Sequence, residues 1–294
     1  MLKGAETLEK LRSSTFWRRL AYASYCLPSL KIIYIETPKV ACTSIKYALH
    51  ALYGQPPPEF WDSSRAEPTR AMTIHDRARS RIQPLTELDD DLLIEALTDP
   101  SWIRFCIVRN PFKRILSAWI DRILLEGLST RAPIRKRFTF PRYVPDPQHL
   151  KREFSFFIRY LHAHEHPAFS NHHWMTMHEL LRPDLFPYTH IFRIETLDED
   201  LEVLIDHVAA MGHAWPGLPH FHRSPIRLGL SMYSDLAGKL VQRMYDRDFR
   251  SFEYSPLLPA PDESSSVASL PPTEVVHAIR ERNRRIYDLV FGVQ

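Results

Sequence analysis

The 294-residue chain carries 38 Lys and Arg against 35 Asp and Glu, a net charge of +3, and is 44% hydrophobic. Such a composition supports one sizeable core without disulfide or metal staples, and the charge is too small to mark nucleic acid as a partner. The three cysteines, Cys26, Cys42 and Cys106, are far apart and odd in number, which excludes a disulfide framework or zinc spacing and points to a reducing, cytoplasmic setting.

Residues 1–30 read as a helical N-terminal extension. Arg18 and Arg19 interrupt its apolar run "FWRRLAYASYCLPSL", which suits neither a signal peptide nor a membrane span. The basic amphipathic stretch "LEKLRSSTFWRRLAYASY" reads foremost as a helix packed on its own domain, and its character also suits peripheral contact with a membrane surface. Then "KIIYIE", Lys31 to Glu36, is short, β-branched and aromatic, as in a buried strand. Ile45, Ala48, Leu49 and Leu52 recur at helical spacing, and "LDDDLLIEALT" is a further helix with acids in its first turn.

"SWIRFCIVR", Ser101 to Arg109, is the second strand. Asn110 as N-cap and Pro111 at the first helical position open a helix expected to run to Gly127. A Pro-rich, basic surface excursion follows over 129–152, and helical pattern resumes at Phe154 to His164. "THIFRI", Thr189 to Ile194, is the third strand, and Thr196 with Glu199 predicts a capping box for a helix to about Met211. "MYSDLAGKLVQRMYDRDF" is helical, 256–272 is a Pro/Ser-rich linker, and 273–294 is an amphipathic helix able to pack on a second subunit. Strands alternating with helices predict an α/β fold: three α/β/α layers with a mainly parallel sheet, whose ligands sit at the carboxyl ends of the strands.

Two turns lie at such ends. In "TPKVACTSIK" a lysine and two hydroxyls meet a helix start, where free N–H groups and the helix dipole favour an anion. The pattern GxxxxGK[ST] is absent, since Lys39 precedes Thr43 by four residues and no glycine is present. Taken alone, the turn suits equally an ordinary connection with a solvated Lys39 and a capping Thr43. In "VRNPFKRILSAW", Arg109 ends a strand and Ser117 follows eight residues later; a guanidinium grips phosphate bidentately and a hydroxyl can complete the grip.

Together, in this order, these turns resemble the sulfotransferases that use 3′-phosphoadenosine 5′-phosphosulfate (PAPS), specifically their carbohydrate-type branch with many bacterial members. "PKVACTSIK" looks like the 5′-phosphosulfate loop and "VRNPFKRILSAW" like the 3′-phosphate motif. "HHWMTMHELL", "IFRIETLDEDLEVLIDHV" and "LVQRMYDRDFRSFEY" follow in the expected order, so the resemblance covers about 31–255 and implies a sulfotransferase domain there with a P-loop-like fold.

The resemblance implies roles. Lys39 steadies the oxygen bridging sulfonate and phosphate. Thr43, Ser44 and the backbone of Val40, Ala41 and Cys42 cradle the 5′-phosphate. Arg109 and Ser117 hold the 3′-phosphate, and Arg223 with Ser224, in "HFHRSPIR", lie where relatives have a loop closing over the nucleotide. The product is the 3′,5′-bisphosphate (PAP), and no metal is needed. His75 is the expected catalytic base, with Glu59 and Glu67 as alternatives. The acceptor is a hydroxyl on a glycan or glycosylated small molecule. An ATP-dependent small-molecule kinase lacks its metal carboxylate and helix-start lysine here, and a non-catalytic nucleotide-binding module is the other alternative.

Other clusters read more plainly. His162 and His166 have metal-ligand spacing but no accompanying cysteine or HExxH, and His172 and His173 suit packing beside Trp174 or the acceptor. Arg122, Arg131, Arg135, Lys136, Arg137 and Arg142 form a basic stretch read as solvated surface, and Glu195 reads as structural.

Overall fold

A computed structural model describes residues 2–54, 73–125, 143–164, 171–219, 224–260 and 270–291. In chain order its main elements are α1 (Leu2–Ser13), α2 (Thr15–Ala23), β1 (Ser24–Leu27), β2 (Ile32–Ile35), α3 (Cys42–Leu52), α4 (Asp90–Thr98), β3 (Ile103–Val108) and α5 (Pro111–Trp119). They continue with α6 (Pro147–Ala163), α7 (Met177–Leu181), β4 (His190–Arg193), α8 (Leu197–Asp200), α9 (Glu202–Ala210), α10 (Asp235–Met244), α11 (Asp246–Ser251) and α12 (Thr273–Phe291). The chain forms two compact units, one of Met1–Arg109 with Met177–Phe221 and the other of Asn110–Thr176 with His222–Gln294.

The first unit is an α/β structure on a sheet of order β1-β2-β3-β4. β2, β3 and β4 run parallel, with Ile35 opposite Cys106 and Val108 opposite Arg193, and β1 pairs antiparallel with β2. Ile32, Tyr34, Phe105, Ile107 and Phe192 form a core with Ile45 and Leu49 of α3 and Leu204 and Val208 of α9. The alternating Cys26, Ile33, Ile35, Cys106 and Val108 point to the opposite face and are also buried. Burial on both faces explains why these strands read as unbroken apolar runs.

The helical expectation for residues 1–30 holds over α1 and α2 and is corrected at Ser24–Leu27, which supplies an edge strand of the sheet. A single 3-10 turn at Pro28–Leu30, with Lys31 in the left-handed region, reverses the chain between β1 and β2. Asp89 caps α4 through the Leu92 N–H at 2.9 Å, and the buried Arg104 of β3 donates to the carbonyls of Ala96 and Asp99 at the other end. The expected capping box at Thr196 does not form. Asp200 instead accepts from the Arg193 N–H at 2.6 Å and from the Thr196 hydroxyl at 3.1 Å, and the helix breaks between α8 and α9.

The second unit packs α5, α6, α10 and α12 around an aromatic core containing Phe112, Trp119, Phe154, Phe157, Trp174 and Tyr233. Asn110 caps α5 as its sequence predicts, accepting from the Phe112 N–H at 3.0 Å. The helix continues as a π-helical turn, Ile120–Leu125, and the expected stop at Gly127 lies outside the described residues. α6 starts at Pro147, inside the stretch expected to be a surface excursion, because Asp146 caps it through the N–H groups of Gln148 and His149. The buried Arg114 donates to the carbonyls of Met175 and His172 at 2.7 and 3.1 Å, which pins the histidine-rich segment. Among the described residues, no helix is long and apolar enough to cross a membrane.

Candidate functional site

The carboxyl ends of β2 and β3 are adjacent, so the turns after Glu36 and after Val108 emerge at one edge of the sheet. Without glycine, the first turn places Lys39 (φ 73°) and Ala41 (φ 63°) in the left-handed region, which costs a non-glycine residue about 1–2 kcal/mol. Val40 between them is fully buried in the sheet core and anchors the turn. Arg109, at the end of β3, donates from Nη1 to the Lys39 carbonyl at 3.1 Å and ties the second turn to the first.

The turn feeds α3 through Ala41 as N-cap, a residue with no side-chain acceptor for the first helical N–H groups. The Ile45 N–H is bonded to the Ala41 carbonyl, so Cys42, Thr43 and Ser44 precede the helical ladder. Their N–H groups, with the positive end of the helix dipole, make an anion cradle. At its root, Thr37 is fully buried, and its Oγ1 has no partner among the described residues. A helix start with no side-chain cap and two held left-handed residues fit an oxyanion such as phosphate or sulfate.

α3 itself carries a polar stripe, Thr43, Lys46 and His50, at i, i+3 and i+7. The segment 73–80 docks along it. Thr43 Oγ1 lies 3.0 Å from His75 Nε2, Lys46 Nζ lies 2.6 Å from His75 Nδ1, and His50 Nε2 lies 3.2 Å from Ser80 Oγ. Lys46 also pairs with Glu36 Oε2 at 2.7 Å, both side chains being buried. Burial alone would raise the Glu36 carboxyl, but Lys46 foremost, together with Arg19, brings it well below its ordinary value. Burial would lower the Lys46 amine, and Glu36 more than reverses this, so the pair is ionic. Arg77 stacks over the Tyr25 ring at 4.4 Å beside this pair.

Of the residues expected from sequence, Lys39, Val40, Ala41, Cys42, Thr43, Ser44, His75 and Arg109 all belong to the first unit, where Arg109 meets the Lys39 carbonyl and His75 meets Thr43. Ser44 donates to the Pro219 carbonyl at 2.6 Å, so its one proton is committed to that loop. Burial pushes the Cys42 thiol up, which keeps it protonated. Ser117 lies in α5 of the second unit. Ser224, in the same unit, closes a local turn, donating to the Ile226 carbonyl and accepting from its N–H. Arg223, Glu59, Glu67, His166, Arg131, Arg135, Lys136, Arg137 and Arg142 lie outside the described residues. His162 and His172 are exposed, His173 bonds Asn171 Oδ1, Trp174 is buried, Arg122 pairs with Asp121 and Glu195 is exposed. No group of three metal-binding side chains is found among the described residues.

The sequence profile of the sulfotransferase family matches residues 25–255, most of the chain, and the chain belongs to that family. Its relatives include carbohydrate sulfotransferase 10 of Danio rerio, 27% identical over 245 residues, and of Xenopus laevis, 28% identical over 244 residues. Carbohydrate sulfotransferase 8 of Mus musculus is 24% identical over 239 residues. These alignments take in 76% of this chain, which spans 64% and 65% of the first two relatives and 54% of the third. No solved structure matches the chain significantly. The family match begins at Tyr25, within β1, in keeping with the place of that strand in the sheet.

Proposed function

We propose that this chain transfers a sulfonate group from PAPS to a hydroxyl of a carbohydrate or glycosylated small molecule. The observation that carries the reading is the turn 37–44, whose N-cap alanine leaves the N–H groups at the start of α3 as donors for an oxyanion. The family and the carbohydrate sulfotransferase relatives support reading that oxyanion as the phosphosulfate of PAPS. The acceptor oxygen attacks sulfur in line, and the sulfur–oxygen bond to the 5′-phosphate breaks. The electron pair leaves with PAP, and the hydroxyl proton passes to a base. The work of the protein is positioning and charge stabilisation. Lys39 and the N–H groups of Cys42 and Thr43 stabilise charge growing on the leaving phosphate. Arg109 recognises the 3′-phosphate, which distinguishes PAPS from ordinary adenine nucleotides.

Thermal unfolding with competing nucleotides tests the donor. PAP at about 100 times its Kd stabilises the folded protein by about 2.7 kcal/mol, and ATP at the same concentration much less. A larger effect of ATP favours a kinase. An acceptor screen with labelled PAPS then tests transfer: Lys39→Ala abolishes turnover while retaining most PAP binding. Equal inactivity of wild type and variant across sugars and glycosides favours a binding module.

A further inference from the structure

Resting on the donor assignment above, we infer that His75 is a positioning residue, locked by Lys46 as the Nε2–H tautomer so that it donates to Thr43 and leaves the Thr43 hydroxyl proton for the bound phosphosulfate. Hydrogen-bond inventory forces the direction of each link. The Lys46 ammonium has three donors and no acceptor, and it sits 2.6 Å from His75 Nδ1 and 2.7 Å from Glu36 Oε2. Nδ1 therefore presents its lone pair to Lys46, and the ring proton is on Nε2. At 3.0 Å that Nε2–H faces Thr43 Oγ1, which accepts it. A hydroxyl has one proton to give, and the Thr43 proton is thereby directed away from the imidazole. Ser44, by contrast, has its proton on Pro219, so Thr43 is the hydroxyl prepared to donate in this turn.

This arrangement reassigns His75 from the base expected of it. A base needs a lone pair turned toward the acceptor hydroxyl; the Nδ1 lone pair is held by Lys46, and Nε2 carries the proton. The relay runs Glu36, Lys46, His75, Thr43 within the first unit, and each side chain in it is at least partly buried. Its effect falls on donor binding and alignment. A hydrogen bond to a charged group is worth about 1.5–3 kcal/mol, about ten- to hundredfold in affinity.

Two measurements on the full-length protein test this. Long-range nitrogen–proton NMR of 15N-histidine-labelled protein reports the tautomer directly, with no nucleotide present. The expected result is an Nε2–H, pyridine-type Nδ1 imidazole for His75, with the preference lost in Lys46→Met; an Nδ1–H imidazole overturns the inference. Calorimetric PAP titrations of Thr43→Val, His75→Ala and the double variant give the second reading. Each single variant weakens PAP about tenfold or more, the double is little worse than either, and His75→Gln, which keeps a donor near the place of Nε2, recovers part of the loss. Unchanged PAP affinity in His75→Ala with turnover abolished identifies a base and overturns the relay. A wild type that binds no PAP refutes the donor assignment, and the tautomer then decides the Lys46–His75–Thr43 links on its own.

Discussion

Replacing Lys46 with methionine tests the buried charge beneath the anion turn. Lys46 and Glu36 meet at 2.7 Å with side chains 1% and 7% exposed. At an effective dielectric of about 20 their attraction is about 6 kcal/mol, most of it offset by desolvation. Lys46→Met removes the attraction and leaves the desolvated carboxylate, so the expected loss at pH 7 is about 3–5 kcal/mol in urea unfolding followed by fluorescence. Replacing Glu36 as well, by leucine, recovers at least half of that loss, because neither charge is then buried. The pH dependence has a definite sign. In wild type the Glu36 carboxyl is held below its ordinary 4.5, so its contribution is present above 4.5 and is lost as pH falls further. In Lys46→Met burial raises the same carboxyl above 4.5, and the penalty is relieved as pH falls from 7 toward 4.5. The two stability curves therefore converge on acidification. A loss under about 1 kcal/mol at pH 7, or parallel curves from pH 7 to 4.5, refutes the argument that this pair is a desolvated unit.

Burial, opposed by its bond to the Lys46 carbonyl, holds His50 down at about 4 against an ordinary 6.5. The folded state thus resists protonation, and wild-type stability falls by about 3 kcal/mol between pH 6.5 and 4 through this group. His50→Gln flattens that part of a urea-midpoint profile. Ala41→Val places a β-branched residue at φ 63° and costs about 1–3 kcal/mol in Tm-derived stability, with weaker PAP binding in the same preparation. Arg114→Met leaves the Met175 and His172 carbonyls without their guanidinium donor, and a loss of about 2–4 kcal/mol by urea unfolding is expected.

The three parallel strands were readable because burial on both faces requires unbroken β-branched and aromatic runs, and the start of α5 because Asn–Pro has one strong local meaning. The same local signal, Asp146–Pro147, opens α6 inside a stretch whose Pro-rich, basic composition reads as surface excursion. β1 was hidden because "SYCL" acquires its identity only by pairing with Ile32–Ile35, a tertiary event with no helix-versus-strand pattern of its own. The turn after Glu36 is recognisable as a candidate anion site from its residue types. The pairing of Glu36 with Lys46 is not legible in the same way, since a glutamate at a strand end and a lysine on a helix ordinarily read as solvated. Its trace in the sequence is the polar series Thr43, Lys46 and His50 on one face of α3, which signals a partner segment.

The absence of glycine from residues 37–44 has a mechanical corollary. Lys39 and Ala41 sample few conformations compared with glycine, and a bond from Arg109 holds the strained carbonyl of the first. On the proposed reading, little motion remains to be frozen by a bound anion, so more of the contact energy is available for affinity. The stiffness of the turn is thus supplied in advance by the neighbouring strand.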